Sequence, residues 1–217
     1  MAGERAGRAI VLAAKMRICL AILEIFWGAP SVHWLDSAAS DAKGLESVFE
    51  KSGVSLTLAD MRLPDAPLIG VNAAFGRLSG YDPQQVVGRN CRFLQPPGGA
   101  GPVRARMRDF LTNPTKDEDR FVVPNVTRDG DAFLNLVYMA KLRKNGAEAF
   151  VLGSQFNISE KSDEAVDMYD VALREDIVKL GHLAGEKGLV MMGTYNSLAS
   201  SHSIIAKARI EGWVGQR

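Results

Sequence analysis

Two dipeptides, Asp129-Gly130 and Asn145-Gly146, constrain this chain more than any other feature. They separate three runs with strand-like alternation, EDRFVVPNVTR, DAFLNLVYMAKLR and AEAFVLGSQFNIS. Asx-Gly pairs accept the positive φ angles of tight hairpin turns, so residues 118–159 predict a three-stranded antiparallel meander. Upstream, VSLTLAD (54–60) and LIGV (68–71) read as two more strands, joined by the Pro-containing turn MRLPDAP. Short helical stretches fill the interval between the two strand groups. Asn72 is placed to cap the first, Gly80 to end it, and Asp82-Pro83 to start the second. GRNCRFLQ (88–95) follows as a helical turn, PPGGAGP (96–102) as a loop, and VRARMRDFLTN as a helix with apolar Val103, Met107, Phe110 and Leu111. With LESVFEKSG (45–53) as a helix before the first strand, the pattern predicts an α+β domain. Its core is a five-stranded antiparallel sheet with short helices on one face.

The flanks read differently. AIVLAAKMRICLAILEIFWGAP (9–30) is apolar but is interrupted by Lys15, Arg17 and Glu24. A membrane span needs roughly 20 mostly apolar residues, so an amphipathic or poorly ordered helix is expected rather than a span or a signal peptide. DSAASDAKG (36–44) reads as a linker. Beyond the meander, Val166, Tyr169, Leu173, Ile177, Leu180 and Ala184 form a helical apolar stripe. After GEKG, residues 189–210 offer a second, weaker helix. The expected organisation is an extension over 1–44, a domain over 45–158 and a helical extension over 159–217.

Composition removes several functions. A net charge of +1 argues against nucleic acid and anionic membranes as partners. Cys19 and Cys91 lie far apart, and His33, His182 and His202 are scattered, so neither a disulfide framework nor a metal site is expected. A reducing cytoplasm fits this cysteine usage best. No histidine falls within the domain to activate Cys91 as a hydrolase-type nucleophile.

Cys91 stands between an amide and a guanidinium, in GRNCRFLQ. Further amides fall on the meander at Asn125, Asn135 and Gln155, where strand periodicity can align them on one face. Such groups both donate and accept, as a heterocycle edge with mixed carbonyl and N–H functions requires. Arg92 and Arg108 bracket the Gly/Pro loop and have the fork geometry suited to a phosphate.

Taken together, GRNCRFLQ, LADMRLPDAPLIGVNAAFGRLSGY before it, and PNVTRDGDAFLNLVYMAKL and FVLGSQF after it resemble the light-oxygen-voltage (LOV) domains. These are the flavin-binding photosensory branch of the PAS fold. The resemblance spans roughly residues 47–158, and the absence of a recognisable effector makes the chain similar to short bacterial LOV proteins. It implies flavin mononucleotide (FMN) as cofactor and no enzymatic activity. It also implies a blue-light photoreceptor in which Cys91 forms a reversible cysteinyl bond to ring carbon C4a. By the same resemblance Gln155 lies near ring N5 and O4 and relays N5 protonation. Asn125 and Asn135 hold the pyrimidine edge, Asn90 and Gln95 are further flavin contacts, and Arg92 and Arg108 hold the ribityl phosphate. Thr57, Phe75, Leu94, Val137, Met139 and Gly153 pack around the ring. Ala59 stands where many relatives carry a hydroxyl or amide, and Val137 where a larger residue is frequent.

The helix after Gln155's strand is then the expected signal-bearing element, through a homodimer of terminal helices altered by light or through another protein partner. Two other functions share these features: a flavin redox protein, and a light-regulated DNA-binding protein using the C-terminal tail.

Overall fold

The computed structural model describes residues 33–34, 42, 44–159, 162–191, 201 and 204–206. Contacts divide the chain into residues 1–31 and 32–217, and every described residue belongs to the second unit. The helix expected over 9–30 lies outside the described residues, as does most of the second C-terminal helix.

In chain order the elements are β1 (His33–Trp34), α1 (Glu46–Lys51), β2 (Ser55–Asp60), β3 (Leu68–Val71), α2 (Ala73–Ser79), α3 (Pro83–Val86), a 3-10 turn (Cys91–Leu94) and α4 (Val103–Thr112). They continue with β4 (Glu118–Val126), β5 (Ala132–Lys144), β6 (Ala147–Asn157), α5 (Asp163–Glu186) and β7 (Leu189–Met191). All strand pairs are antiparallel, in the order β1-β3-β2-β6-β5-β4, with β7 also paired to β5. Both Asx-Gly turns form where expected, with Asn145 at φ 52°, Gly146 at φ 82° and Gly130 at φ 95°. Asn72 Oδ1 accepts from Phe75 N at 3.1 Å and so caps α2, while Asp82 caps α3 with Pro83 at its first position.

Strand periodicity sorts the side chains into two layers. Leu56, Leu58, Leu136, Tyr138, Ala140, Leu142, Phe150 and Leu152 are buried on one face, in a single cluster with Val48, Phe49 and the stripe of α5. That stripe is the one read from the sequence: Val166, Tyr169, Leu173, Ile177, Leu180 and Ala184 are all buried. Each large side chain so covered contributes about 1.5–3 kcal/mol of burial. Ser52 ties α1 to α5 by donating to Asp176 at 2.5 Å, and burial raises the carboxyl of Asp176 above its ordinary range. Thr57 and Ala59 of β2, Asn135, Val137 and Met139 of β5, and Val151, Gly153 and Gln155 of β6 face the other way, toward α2, α3, the 3-10 turn and α4.

Two short strands enlarge the expected five-stranded sheet. Within the N-terminal extension, Trp34 pairs with Gly70, and its ring lies tilted against Phe49 with centroids 5.1 Å apart. A Cβ on Gly70 would lie 2.6 Å from the indole, which is why this strand position carries glycine. Leu189–Met191, expected to begin a helix, instead forms a strand on Leu142, Arg143 and Lys144 of β5. The reversal follows from Gly188, whose φ of 69° ends the helical path. It delivers an apolar tripeptide to backbone groups of β5 that β4, ending opposite Ala140, leaves unpaired. No helix among the described residues is long and apolar enough to cross a membrane.

Candidate functional site

The second face of the sheet forms one wall of a cavity of about 290 Å³. Its geometry follows from strand register. Gln155 stands between Ser55 on β2 and Val137 on β5, and one step along, Gly153 stands between Thr57 and Met139. All of these except Ser55 line the cavity.

The amides gather as the alternation requires. Asn135 Nδ2 donates to Asn125 Oδ1 at 2.7 Å, and Asn135 Oδ1 accepts from the Phe156 backbone at 3.2 Å. Gln155 Nε2 donates to Thr57 Oγ1 at 3.1 Å, while Gln155 Oε1 is buried with no hydrogen-bond partner among the described residues. A buried amide oxygen without a donor is costly, about 1–3 kcal/mol, and marks a place where a ligand N–H fits. Walls between these polar groups are apolar, from Leu68, Leu94, Val137, Met139 and Val151.

The helical side of the cavity is cationic. Arg92, Arg104 and Arg108 all reach the cavity. Arg92 is already paired with Asp65, whereas neither Arg104 nor Arg108 forms an ion pair among the described residues. Arg104, Met107, Arg108 and Leu111 occupy one face of α4 at helical spacing, and the other face buries Val103 and Phe110. Sequence reasoning found Arg108 and missed Arg104. The signal was the i, i+4 spacing of the two arginines, hidden because the apolar positions of α4 serve two different surroundings.

Cys91 opens the 3-10 turn and lines the cavity beside Asn90, Leu94 and Gln95. Asn90 caps this turn, accepting from Arg92 N at 3.0 Å, and its Nδ2 also donates to the Asp65 carbonyl. Desolvation pushes the Cys91 thiol from 9.0 up to about 11, against a smaller downward pull from Arg92. The thiol is therefore neutral at physiological pH. Phe75 is the exception among the expected site residues. It is fully buried beside Leu68, Val71, Val86 and Leu94, behind the cavity wall rather than on it. Among the described residues no cluster of His, Cys, Asp and Glu is arranged to hold a metal.

A polar edge, an apolar slot, a thiol and a cationic side are the features a flavin nucleotide requires, and the unpartnered Gln155 Oε1 independently calls for a ligand donor. The slot depends on Gly153, because a Cβ there would meet Thr57 Oγ1 at 2.5 Å. Gly153→Ala is expected to destabilise the fold by about 1–3 kcal/mol, read as a lower urea midpoint. Adding Thr57→Ala is expected to restore most of the loss; a double variant no better than the single one refutes the clash as its cause.

A PAS domain model matches residues 58–160. A blue-light-activated histidine kinase of Rhizobium johnstonii is 32% identical over 126 residues, covering 57% of this chain and 36% of the kinase. The crystal structure of a Rhodobacter sphaeroides LOV protein is 30% identical with a TM-score of 0.60, and the match covers 68% of this chain and 93% of that one. The structure described as the RsLOV d2 variant is 29% identical with a TM-score of 0.62, covering 80% and 96% of the two chains. The chain spans about a third or less of the length of the first curated relatives it matches.

Proposed function

Because the chain belongs to the LOV branch of the PAS domain family, we propose that it is a blue-light sensor that binds FMN noncovalently and responds through Cys91. The observation that carries this reading is the meeting of Cys91, the amide group and the arginines in one cavity. The bound flavin supplies light absorption and an electrophilic ring carbon, C4a. Cys91 supplies the sulfur that bonds to this carbon and the proton that passes to N5, and breaking that bond returns both. A neutral thiol suits this role, since it carries the proton that must be delivered. Asn125 and Asn135, already joined to each other, present their remaining polar functions to the pyrimidine edge. Arg92 and Arg108, with Arg104 beside them, hold the phosphate, and Asn90 and Gln95 complete that side.

Residues 45–158 act as the sensor and 159–217 as the output extension, in a cytoplasmic protein. Support for a route between them lies on β6. Gln155 faces the cavity, while its neighbours Ser154 and Phe156 face α5 and meet the same residue there. Ser154 Oγ lies 3.0 Å from Tyr169 Oη, and the Phe156 ring stacks on Tyr169 with centroids 4.5 Å apart. Tyr169 is therefore a residue of α5 on which a change at Gln155 can act. Met168, Val171 and Val178 are exposed on the outer side of α5, consistent with a homodimer contact or a protein partner.

The test is an absorption spectrum before and after a blue flash, followed in darkness. A flavin band that bleaches and returns supports the sensor; a colourless or non-bleaching protein overturns it. Tyr169→Phe keeps the stack but loses the hydroxyl. It is expected to bleach normally while losing at least half of any light-dependent shift in elution volume. An unchanged shift removes Tyr169 from the route.

A further inference from the structure

We propose that Thr57 is a positioning residue for Gln155, its hydroxyl serving as a reversible partner that satisfies the side-chain amide in either of its two orientations. The inference rests on the reading that the cavity holds a flavin, and it concerns how this chain controls the amide facing it. A carboxamide that exchanges its N and O ends between two states needs, on its protein side, a neighbour able to accept in one state and donate in the other. A backbone N–H or carbonyl does only one of these, whereas a hydroxyl does both.

Thr57 is placed for that task. It receives Gln155 Nε2 at 3.1 Å, and its own Oγ1 donates to the Gly153 carbonyl at 3.4 Å. In this arrangement Gln155 Oε1 has no protein partner. With the amide reversed, its oxygen lies against the Thr57 hydroxyl, whose hydrogen turns from the long bond to Gly153 toward it. The Nε2 donors then occupy the position Oε1 held. The weak alternative acceptor at 3.4 Å allows the hydroxyl to turn either way at little cost. Both side chains are nearly closed to solvent, Thr57 at 3% and Gln155 at 4% exposure, so water does not substitute for either partner. Space for the hydroxyl comes from the register, which sets Thr57 opposite the side-chain-free Gly153.

Valine matches threonine in shape but offers neither function, so Thr57→Val separates the hydroxyl from packing. In flavin-loaded protein with 13C-labelled glutamine, the light-minus-dark infrared spectrum reports the Gln155 carbonyl, assigned by its loss in Gln155→Leu. In the dark, ring N5 is unprotonated and accepts, so the amide turns Nε2 to the ring and Oε1 to Thr57. The dark band is therefore expected to move to higher wavenumber in Thr57→Val, because the carbonyl loses the hydroxyl that donates to it in that orientation. The dark recovery rate is expected to change by about five- to tenfold, the equivalent of one buried hydrogen bond. Thr57→Ser is expected to restore both. Thr57→Cys, a weaker donor and acceptor, is expected to fall between, and this pair carries the test if the valine variant fails to fold. An unmoved band in a Thr57→Val protein that bleaches overturns the proposal alone, as does failure of serine to rescue. A wild-type protein without a bleach removes the reading on which it rests.

Discussion

Cys91→Ala is expected to keep its flavin and its dark spectrum and to lose the reversible blue-light bleach entirely. The sulfur is the atom that forms and breaks the bond, and no other thiol lines the cavity among the described residues. Binding is expected to survive, because the groups assigned to the polar edge and the phosphate lie elsewhere. A saturating flash on the purified variant gives the answer, and a reversible bleach of wild-type shape would exclude Cys91 as the photochemical residue. The pH behaviour follows from the raised thiol value of about 11. Below pH 9 the thiol is protonated both folded and unfolded, so it adds no pH dependence to stability there. Above pH 9 the unfolded thiol ionises first, and the stability its neutral form contributes is lost as pH rises toward 11. Wild type is therefore expected to lose stability relative to Cys91→Ala in that window, with an even bleach amplitude from pH 6 to 8.5.

The second large effect is expected at Asn135. Its side chain satisfies Asn125 Oδ1 on one strand and the Phe156 N–H on another, and it is 1% exposed. Asn135→Ala takes these partners from the buried Asn125 Oδ1 and the partly buried Phe156 N–H. At about 1–3 kcal/mol for each, the variant is expected to lose about 2–6 kcal/mol of stability by chemical denaturation. Flavin affinity is expected to fall at least tenfold, since Asn125 loses the contact that orients it. A variant with the wild-type midpoint and full flavin retention after dialysis would show that the amide pair neither braces the sheet nor grips the ligand.

The frame was legible because local chemistry dictated it. Asn145-Gly146 and Asp129-Gly130 fixed two turns, the turns fixed register, and register placed Asn135, Val137, Met139, Gly153 and Gln155 on one face. The apolar stripe of α5 was legible for the same reason: period 3.6 survives whatever the helix packs against. What escaped depended on tertiary neighbours. Leu189–Met191 is too short for periodicity to separate strand from helix, and the vacant edge of β5 decided it. Phe75 was expected against a ligand but packs behind Leu68 and Leu94, a distinction of depth that strand and helix patterns do not encode. Arg92 carries the charge expected of it yet is paired with Asp65, whose φ of 69° belongs to a loop conformation invisible in the pattern.

The pairing of β7 has a mechanical consequence. α5 spans 24 residues, about 36 Å at 1.5 Å per residue. One end follows directly from β6, and the other is stitched to the last residues of β5. A rod fastened at one end is a lever, free to swing out when its seat loosens. A rod fastened at both ends is a beam, and it answers a push near one support by tilting or twisting against the other. A disturbance at Tyr169 would therefore be felt as load on the pairing of Leu189–Met191 with β5, at the far end of the same helix.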